Sequence, residues 1–233
     1  MPALDDALQG GLALGAVHEL APASELQLGA AFGFGLAVAA RAATRQAGNR
    51  QPTQVLCIQT DYAGFAAGAP YGLGLDDFGL AMEQLLILRI AHPRDALWAF
   101  EEALKCPALA AVVAELPEDG AAADFTATRR LGLAAQKGGG LGLLLRHRLY
   151  PLPSTAMTRW QIAAAVSAPD RFGGLGATRF DLSLHRNRRG RGGRWIADWN
   201  HDERTFLPQA LSLGMAATAG DRPDRARPHL RSA

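Results

Sequence analysis

Apolar residues in this chain gather into short unbroken runs, the pattern of strands covered on both faces. Val17–Leu20 is the first, followed by Val55–Thr60, Gln84–Arg89, Leu109–Leu116 and Leu141–Arg146. Segments of helical character alternate with them. A small-residue loop, Ala21–Glu25, leads into a long apolar helix ending near Arg41, with Gly29, Ala30, Ala31, Gly33, Gly35, Ala37 and Ala39 on nearly every face. Such a helix packs close against a sheet and is buried most of the way round. Asp77–Met82 reads as a single helical turn. Pro93-Arg94-Asp95 opens the clearest helix, Ala96–Lys105, with Leu97, Phe100 and Leu104 as a stripe, Glu101 four residues before Lys105, and Pro107 as its stop. Asp124 predicts the cap of a helix through Gln136 that closes at Gly138-Gly139-Gly140.

This order of strands and helices predicts an α/β fold, a mostly parallel sheet with helices on both faces, because right-handed crossovers admit little else. The texture changes after residue 150. Pro151 and Pro153 mark a bend and Thr158–Val166 reads as a strand. Thr178–His185 and Arg194–Asn200 alternate, so an antiparallel β extension is expected toward the C-terminus. The implied organisation is a helix and turn over 1–16 stopped by Gly10-Gly11, and one domain over 17–207. Within that domain the core spans 17–150 and a hairpin part 151–207. A tail over 208–233 has the small, Pro-containing, charged composition of disordered chain.

Composition narrows the class. The chain has 233 residues, 48% of them hydrophobic and 20% charged, which is globular. A net charge of +2 does not by itself announce a nucleic-acid partner, so its distribution must decide. The two cysteines, Cys57 and Cys106, sit in apolar segments and are expected as buried, reduced thiols of a cytoplasmic protein. The acidic start MPALDDALQGG lacks a signal peptide's basic region, and the longest apolar run, Leu28–Ala40, falls short of the roughly 20 residues of a membrane span.

Strand, loop and helix over Val17–Ala42 is where an α/β nucleotide-binding protein carries its P-loop. That chemistry needs glycine amides around phosphate, a Lys for the β and γ oxygens and a hydroxyl for Mg²⁺. The loop offers Pro22, Ser24 and Glu25, and no Lys occurs before Lys105. Gly33-x-Gly35 lies within the helix and lacks the third glycine of a dinucleotide fingerprint. Glu19, Asp61 and Glu115 end predicted strands, where α/β proteins build their sites. Without a P-loop the favoured reading is that they cap helices or sit at a solvated sheet edge.

Arg186, Arg188, Arg189, Arg191 and Arg194 crowd the predicted hairpin tip and form the candidate nucleic-acid-binding site, which Arg171 and Arg179 would extend. Guanidinium groups suit phosphate contacts. A solvated turn, or one that docks an acidic protein, is an equal alternative. Trp160, Trp195 and Trp199 could stack on bases but read better as core. His18, His92, His147, His185, His201 and His229 are dispersed without ligand spacing, so neither a metal site nor a catalytic nucleophile is expected.

The order of segments resembles the ImuA family, RecA-like proteins encoded with damage-inducible error-prone polymerases in bacteria. The resemblance runs over roughly residues 3–205. It rests on Leu4-Asp5-Asp6-Ala7-Leu8 with Gly10-Gly11, Gly15 and His18-Glu19, then on Leu97-Trp98-Ala99-Phe100-Glu101-Glu102-Ala103-Leu104 and Ala111-Val112-Val113-Ala114-Glu115-Leu116. Thr126-Ala127-Thr128-Arg129-Arg130-Leu131, Thr158-Arg159-Trp160, and Arg186-Asn187-Arg188 with Trp195 and Trp199 complete it. The resemblance implies a RecA-like fold and a part in the SOS response, DNA repair and mutagenesis. Because the Lys and Thr of a recombinase's P-loop have no counterpart here, that part is expected to be a non-catalytic accessory protein of translesion synthesis without cofactor. Its implied partners are an ImuB-like Y-family protein and an error-prone replicative-type DNA polymerase, with RecA and DNA as further candidates. Two alternatives stand beside it, a SulA-like cell-division inhibitor and a degenerate NTPase or nucleotide sensor with Glu115 on the metal.

Overall fold

The computed structural model describes residues 1–47, 53–61, 70–116, 125–149, 153–169, 172–174 and 176–208. Its strands are β1 (Ala16–Pro22), β2 (Gln54–Thr60), β3 (Leu85–Ile90), β4 (Leu109–Glu115), β5 (Leu141–Leu145), β6 (Thr158–Ala164), β7 (Arg179–Asn187), β8 (Gly193–Asn200) and β9 (Thr205–Pro208). They hydrogen-bond into one sheet in the order β3-β2-β4-β5-β1-β6-β7-β8-β9. The first six in that order are parallel, and β7, β8 and β9 each run antiparallel to the strand before. The α/β class, the mostly parallel sheet and the antiparallel extension are therefore as the sequence predicts.

The helices are α1 (Pro2–Ala7), α2 (Leu28–Ala47), α3 (Gly72–Asp77), α4 (Pro93–Leu104) and α5 (Phe125–Gly138). One face of the sheet carries α2, whose Ala31, Phe34, Ala37 and Val38 join a core with Leu20, Val113, Leu143, Trp160, Phe180 and Trp199. The small residues of α2 allow the close approach expected of them: a Cβ on Gly35 would meet Leu20 Cδ1 at 3.2 Å. The other face carries α4 and α5. There Phe100, Leu104, Leu131 and Ala135 pack on Val17, Ile58, Val112 and Leu144. The β5–β6 crossover is tied to the central strand at both ends, Arg146 N–H donating to Leu20 O and Met157 N–H to Val17 O.

Several boundaries differ from the sequence reading. The run Gln84–Arg89 does not form a buried strand: β3 closes one end of the sheet, and Leu86, Ile87 and Leu88 are 51%, 45% and 39% exposed. An apolar run resembles a central strand, but strand order follows the crossovers, and no further strand lies beyond β3 among the described residues. Helix α3 precedes the expected turn at 77–82, where Phe78-Gly79 instead end it and a 3-10 turn covers Met82–Gln84. Helix α2 continues past Arg41 to Ala47. Glu25–Thr44 is long and apolar enough to cross a membrane by composition, yet more than half of it is buried within the protein. Strand β6 stops at Ala164, two residues short of the expected end, and β9 has no precedent in the sequence reading because it is only four residues long. Cys57 is buried, whereas Cys106 is only half-buried; both are free thiols. The cap at Asp124, the bend at Pro151, Arg171 and the tail from residue 209 lie outside the described residues.

Candidate functional site at the carboxyl edge of the sheet

Between β1 and α2 the chain spends its backbone groups on the fold. Ala23 N–H donates to Ile162 O at 2.8 Å, and the Gln27 side chain accepts from Ala164 N–H at 2.8 Å, so the loop is stitched to β6. Ser24 is extended and caps nothing with its hydroxyl; Glu25–Gln27 forms a 3-10 turn before α2. Ser24, Glu25 and Leu26 are exposed. A phosphate cradle requires converging free amides and a cation. Here a carboxylate, Glu25, opens the turn instead.

Glu115 ends β4, whereas Glu19 lies in the middle of β1, which runs on to Pro22 instead of ending at the expected Leu20; neither acid caps a helix or lies at a solvated edge. Both are buried, at 3% and 1% exposure, which corrects the sequence reading of these acids. Glu19 is held by charge. Arg159 Nε lies 2.7 Å from Glu19 Oε2, Arg146 Nη2 lies 3.7 Å from Oε1, and Ser154 Oγ donates to Oε1 at 2.6 Å. Ser154 and both arginines come from the crossover and from β6, so Glu19 joins three consecutive segments. Buried charge is tolerated only when paired in this way. The third acid, Asp61, is exposed.

Glu115 has different company. Gln59 Nε2 donates to Glu115 Oε2 at 3.3 Å, and His147 Nε2 lies 3.1 Å from Oε1. Glu115 shares its face with Val113 and the α2 core, whereas Glu19 shares its face with Val17 on the α4 and α5 side. Strand alternation thus points the two acids to opposite faces, where they cannot hold one ion together. Burial, helped by the Glu115 charge, pushes the Cys57 thiol up to about 12, so that thiol is inert. Glu115 and Gln59 also line a cavity of about 230 Å³ with Leu28, Phe32, Tyr71 and Phe78. Among the described residues no Lys or Arg contributes to it, and those present suit apolar groups and not a triphosphate.

The arginines of the hairpin divide by neighbourhood. Arg186 Nη1 donates to Ser154 O at 2.9 Å, and Arg188 Nε donates to Ala156 O at 3.2 Å, so both clamp the crossover. Arg194 lies within β8 and forms a two-pronged pair with Asp181 across the ladder. Arg189 and Arg191 are exposed, and their side chains have no hydrogen-bond or ion-pair partner among the described residues. Arg179 does not extend the patch: it sits at the opposite end of β7 from Arg186 and pairs with Asp198. Trp160 and Trp199 are core, as expected. The Trp160 ring packs 6.2 Å from Phe34, the Trp199 ring 4.9 Å from Phe206, and Trp195 leans on Trp160 at 6.3 Å. Among the described residues no group of three His, Cys, Asp or Glu side chains could hold a metal ion.

The sequence reading missed the partners that make these acids structural. Arg146 and His147 directly follow the apolar run of β5, and that abrupt change of polarity was the available signal. Arg159 sits between buried Thr158 and Trp160, where alternation alone marks it as facing the other side of the sheet.

Fold and site together define an α/β protein with a strand–loop–helix in the P-loop position and none of a P-loop's chemistry. No protein-family model matches the chain. It is 35% identical over 208 residues to Protein ImuA of Caulobacter vibrioides strain NA1000 / CB15N, covering 84% of this chain and 80% of that protein. Protein ImuA of the strain ATCC 19089 / CIP 103742 / CB 15 matches to the same extent. The chain belongs to the ImuA family.

Proposed function

We propose that this protein is a non-catalytic, RecA-like accessory factor of the DNA damage-induced mutagenesis system. It acts in the cytoplasm, supporting error-prone translesion synthesis through protein partners: an ImuB-like Y-family protein and an error-prone replicative-type polymerase. Family membership supports the tie to damage-induced mutagenesis. One observation carries the non-catalytic half. The loop between β1 and α2 is bonded to β6, opens on Glu25 and has no Lys within reach. The acids that a nucleotide site would recruit are committed elsewhere, Glu19 to Arg159, Arg146 and Ser154 and Glu115 to Gln59 and His147. DNA contact, where it occurs, falls chiefly to Arg191, since Arg186, Arg188 and Arg194 already bond within the fold.

The test uses purified protein with Mg-ATP. No phosphate release above background and no saturable nucleotide binding are expected. Turnover, or binding that saturates in the micromolar range, overturns the non-catalytic reading. For the partners, tagged protein is expected to retain the purified ImuB-like protein. Failure to do so in damaged-cell extract and with pure components removes that half.

A further inference from the structure

A second cavity, far from the carboxyl edge, lies under α1. It measures about 380 Å³, and its walls come from three directions: Leu4 of α1 with Leu8 just after it, Phe34 of α2, and Trp160 and Phe206 of the sheet. That volume is in the range of real binding pockets and holds one or two large side chains. Two guanidinium groups border it, and only one is free. Arg41 donates to Arg204 O and Thr205 Oγ1, while Arg189 has no side-chain partner among the described residues. The carboxylate at the rim, Asp5, is matched by the terminal ammonium of Met1 at 2.9 Å. Among the described residues neither guanidinium is paired with a carboxylate, and Arg189 also lacks a hydrogen-bond acceptor, so the cavity with its apolar walls is bordered by unneutralised positive charge that only Arg189 is free to offer.

The surroundings hold that charge in place. Arg189 N–H donates to Asn187 Oδ1 at 3.0 Å, and Arg189 O accepts from Gln9 Nε2 at 2.7 Å. Asn187 in turn donates to Ala7 O at 2.8 Å. The backbone of Arg189 is thus fixed on both sides to the segment that roofs the cavity. Its charge is felt inside the protein, where it adds to the depression of buried His18.

We propose that this cavity receives a segment of a partner protein that inserts a bulky apolar side chain and sets a neighbouring carboxylate on Arg189. Charge complementarity selects the carboxylate, and the apolar walls select the anchor. The proposal rests on the reading of the protein as one that works through partners.

The test is a calorimetric titration of the purified full chain with the capped peptide Asp-Leu-Phe-Asp, followed in parallel by tryptophan emission. Trp160 lies in the cavity wall and reports occupancy. Saturable binding is expected, about tenfold or more weaker in Arg189→Glu, in line with the worth of a charged hydrogen bond. Leu14→Asp also weakens it. Leu14 lines the cavity but is 54% exposed, so this variant keeps its fold if the Arg189 variant does not. The capped peptides Lys-Leu-Phe-Lys and Asp-Ala-Ala-Asp are expected not to bind. The proposal is overturned by absence of saturable binding, by equal binding of the Lys peptide, or by unchanged affinity in both variants. Saturation by octanoate without peptide binding, the mark of a small-molecule site, also overturns it. The titration involves no nucleotide and no natural partner, so its failure leaves the outcomes of the phosphate-release and retention tests unaffected.

Discussion

At position 18 a histidine is wholly buried and its protonation follows from its bonds. Ala13 O can only accept, so Nε2 carries the proton (3.0 Å); Nδ1 then accepts from the Thr158 hydroxyl (2.7 Å), which itself accepts from the Trp160 indole N–H. Burial lowers the His18 pKa from 6.5 to about 4. Between those values the unfolded chain binds the proton and the folded chain does not, so stability falls as pH drops from 6.5 toward 4. The loss should approach about 3 kcal/mol, and urea midpoints measured across that window should show it. A second expectation separates arginines that look equivalent in sequence. Arg186→Ala should cost about 1 kcal/mol in urea unfolding, since it releases the bond to Ser154 O, while Arg191→Ala should leave the midpoint unmoved. The residue types of the cluster were legible from the start. Their division was not, because the carbonyls that occupy Arg186 and Arg188 lie some thirty residues earlier in the chain.

At the level of elements, composition announced how α2 packs, and the structure adds the end of α5, which the sequence showed only as a glycine stop. Helices rich in Gly and Ala approach their neighbours closely, and Gly138 at the end of α5 is the sharpest case. A Cβ there would fall 2.0 Å from Leu104 O, at the end of α4. Gly138→Ala should therefore destabilise by about 1–3 kcal/mol, read as a lower urea midpoint with an unchanged slope. The strands were legible as apolar runs, and the helical stripe of Phe100 and Leu104 is buried as the period required. Missed elements were short or unpatterned. Strand β9 spans four residues, and α3 carries a Gly-Leu-Gly-Leu sequence with no helical stripe. Its position is set from outside, by Trp199 Nε1 donating to Asp77 O at 3.0 Å.

Over the whole molecule, the sheet ends differently on its two sides. On one, β9 is short and ends in Pro208; on the other, β3 presents Leu86, Ile87 and Leu88 with one charge, Arg89, and no proline. Such an edge is open to pairing with other chains. Leu86→Lys should lower light scattering after heating while changing the unfolding free energy by less than about 0.5 kcal/mol. The arrangement of the carboxyl edge also belongs to this scale. That Glu115 ends a strand was readable; that β1 runs past Glu19 to Pro22, and that the two acids have separate partners on opposite faces, was not.

The apolar runs and their spacing sufficed for the class of fold, and residue types alone showed that the strand–loop–helix over Val17–Ala42 lacks the residues of a P-loop. Each depends on periodicity or on residue types along one short stretch. Family membership followed from the same linear order. Tertiary structure alone decided which strand stands at the edge, which arginines are occupied, why the buried acids are structural and where an apolar cavity keeps a free guanidinium. Those outcomes depend on distance between residues far apart in the chain, such as Arg189 and Gln9, and no local pattern encodes that distance.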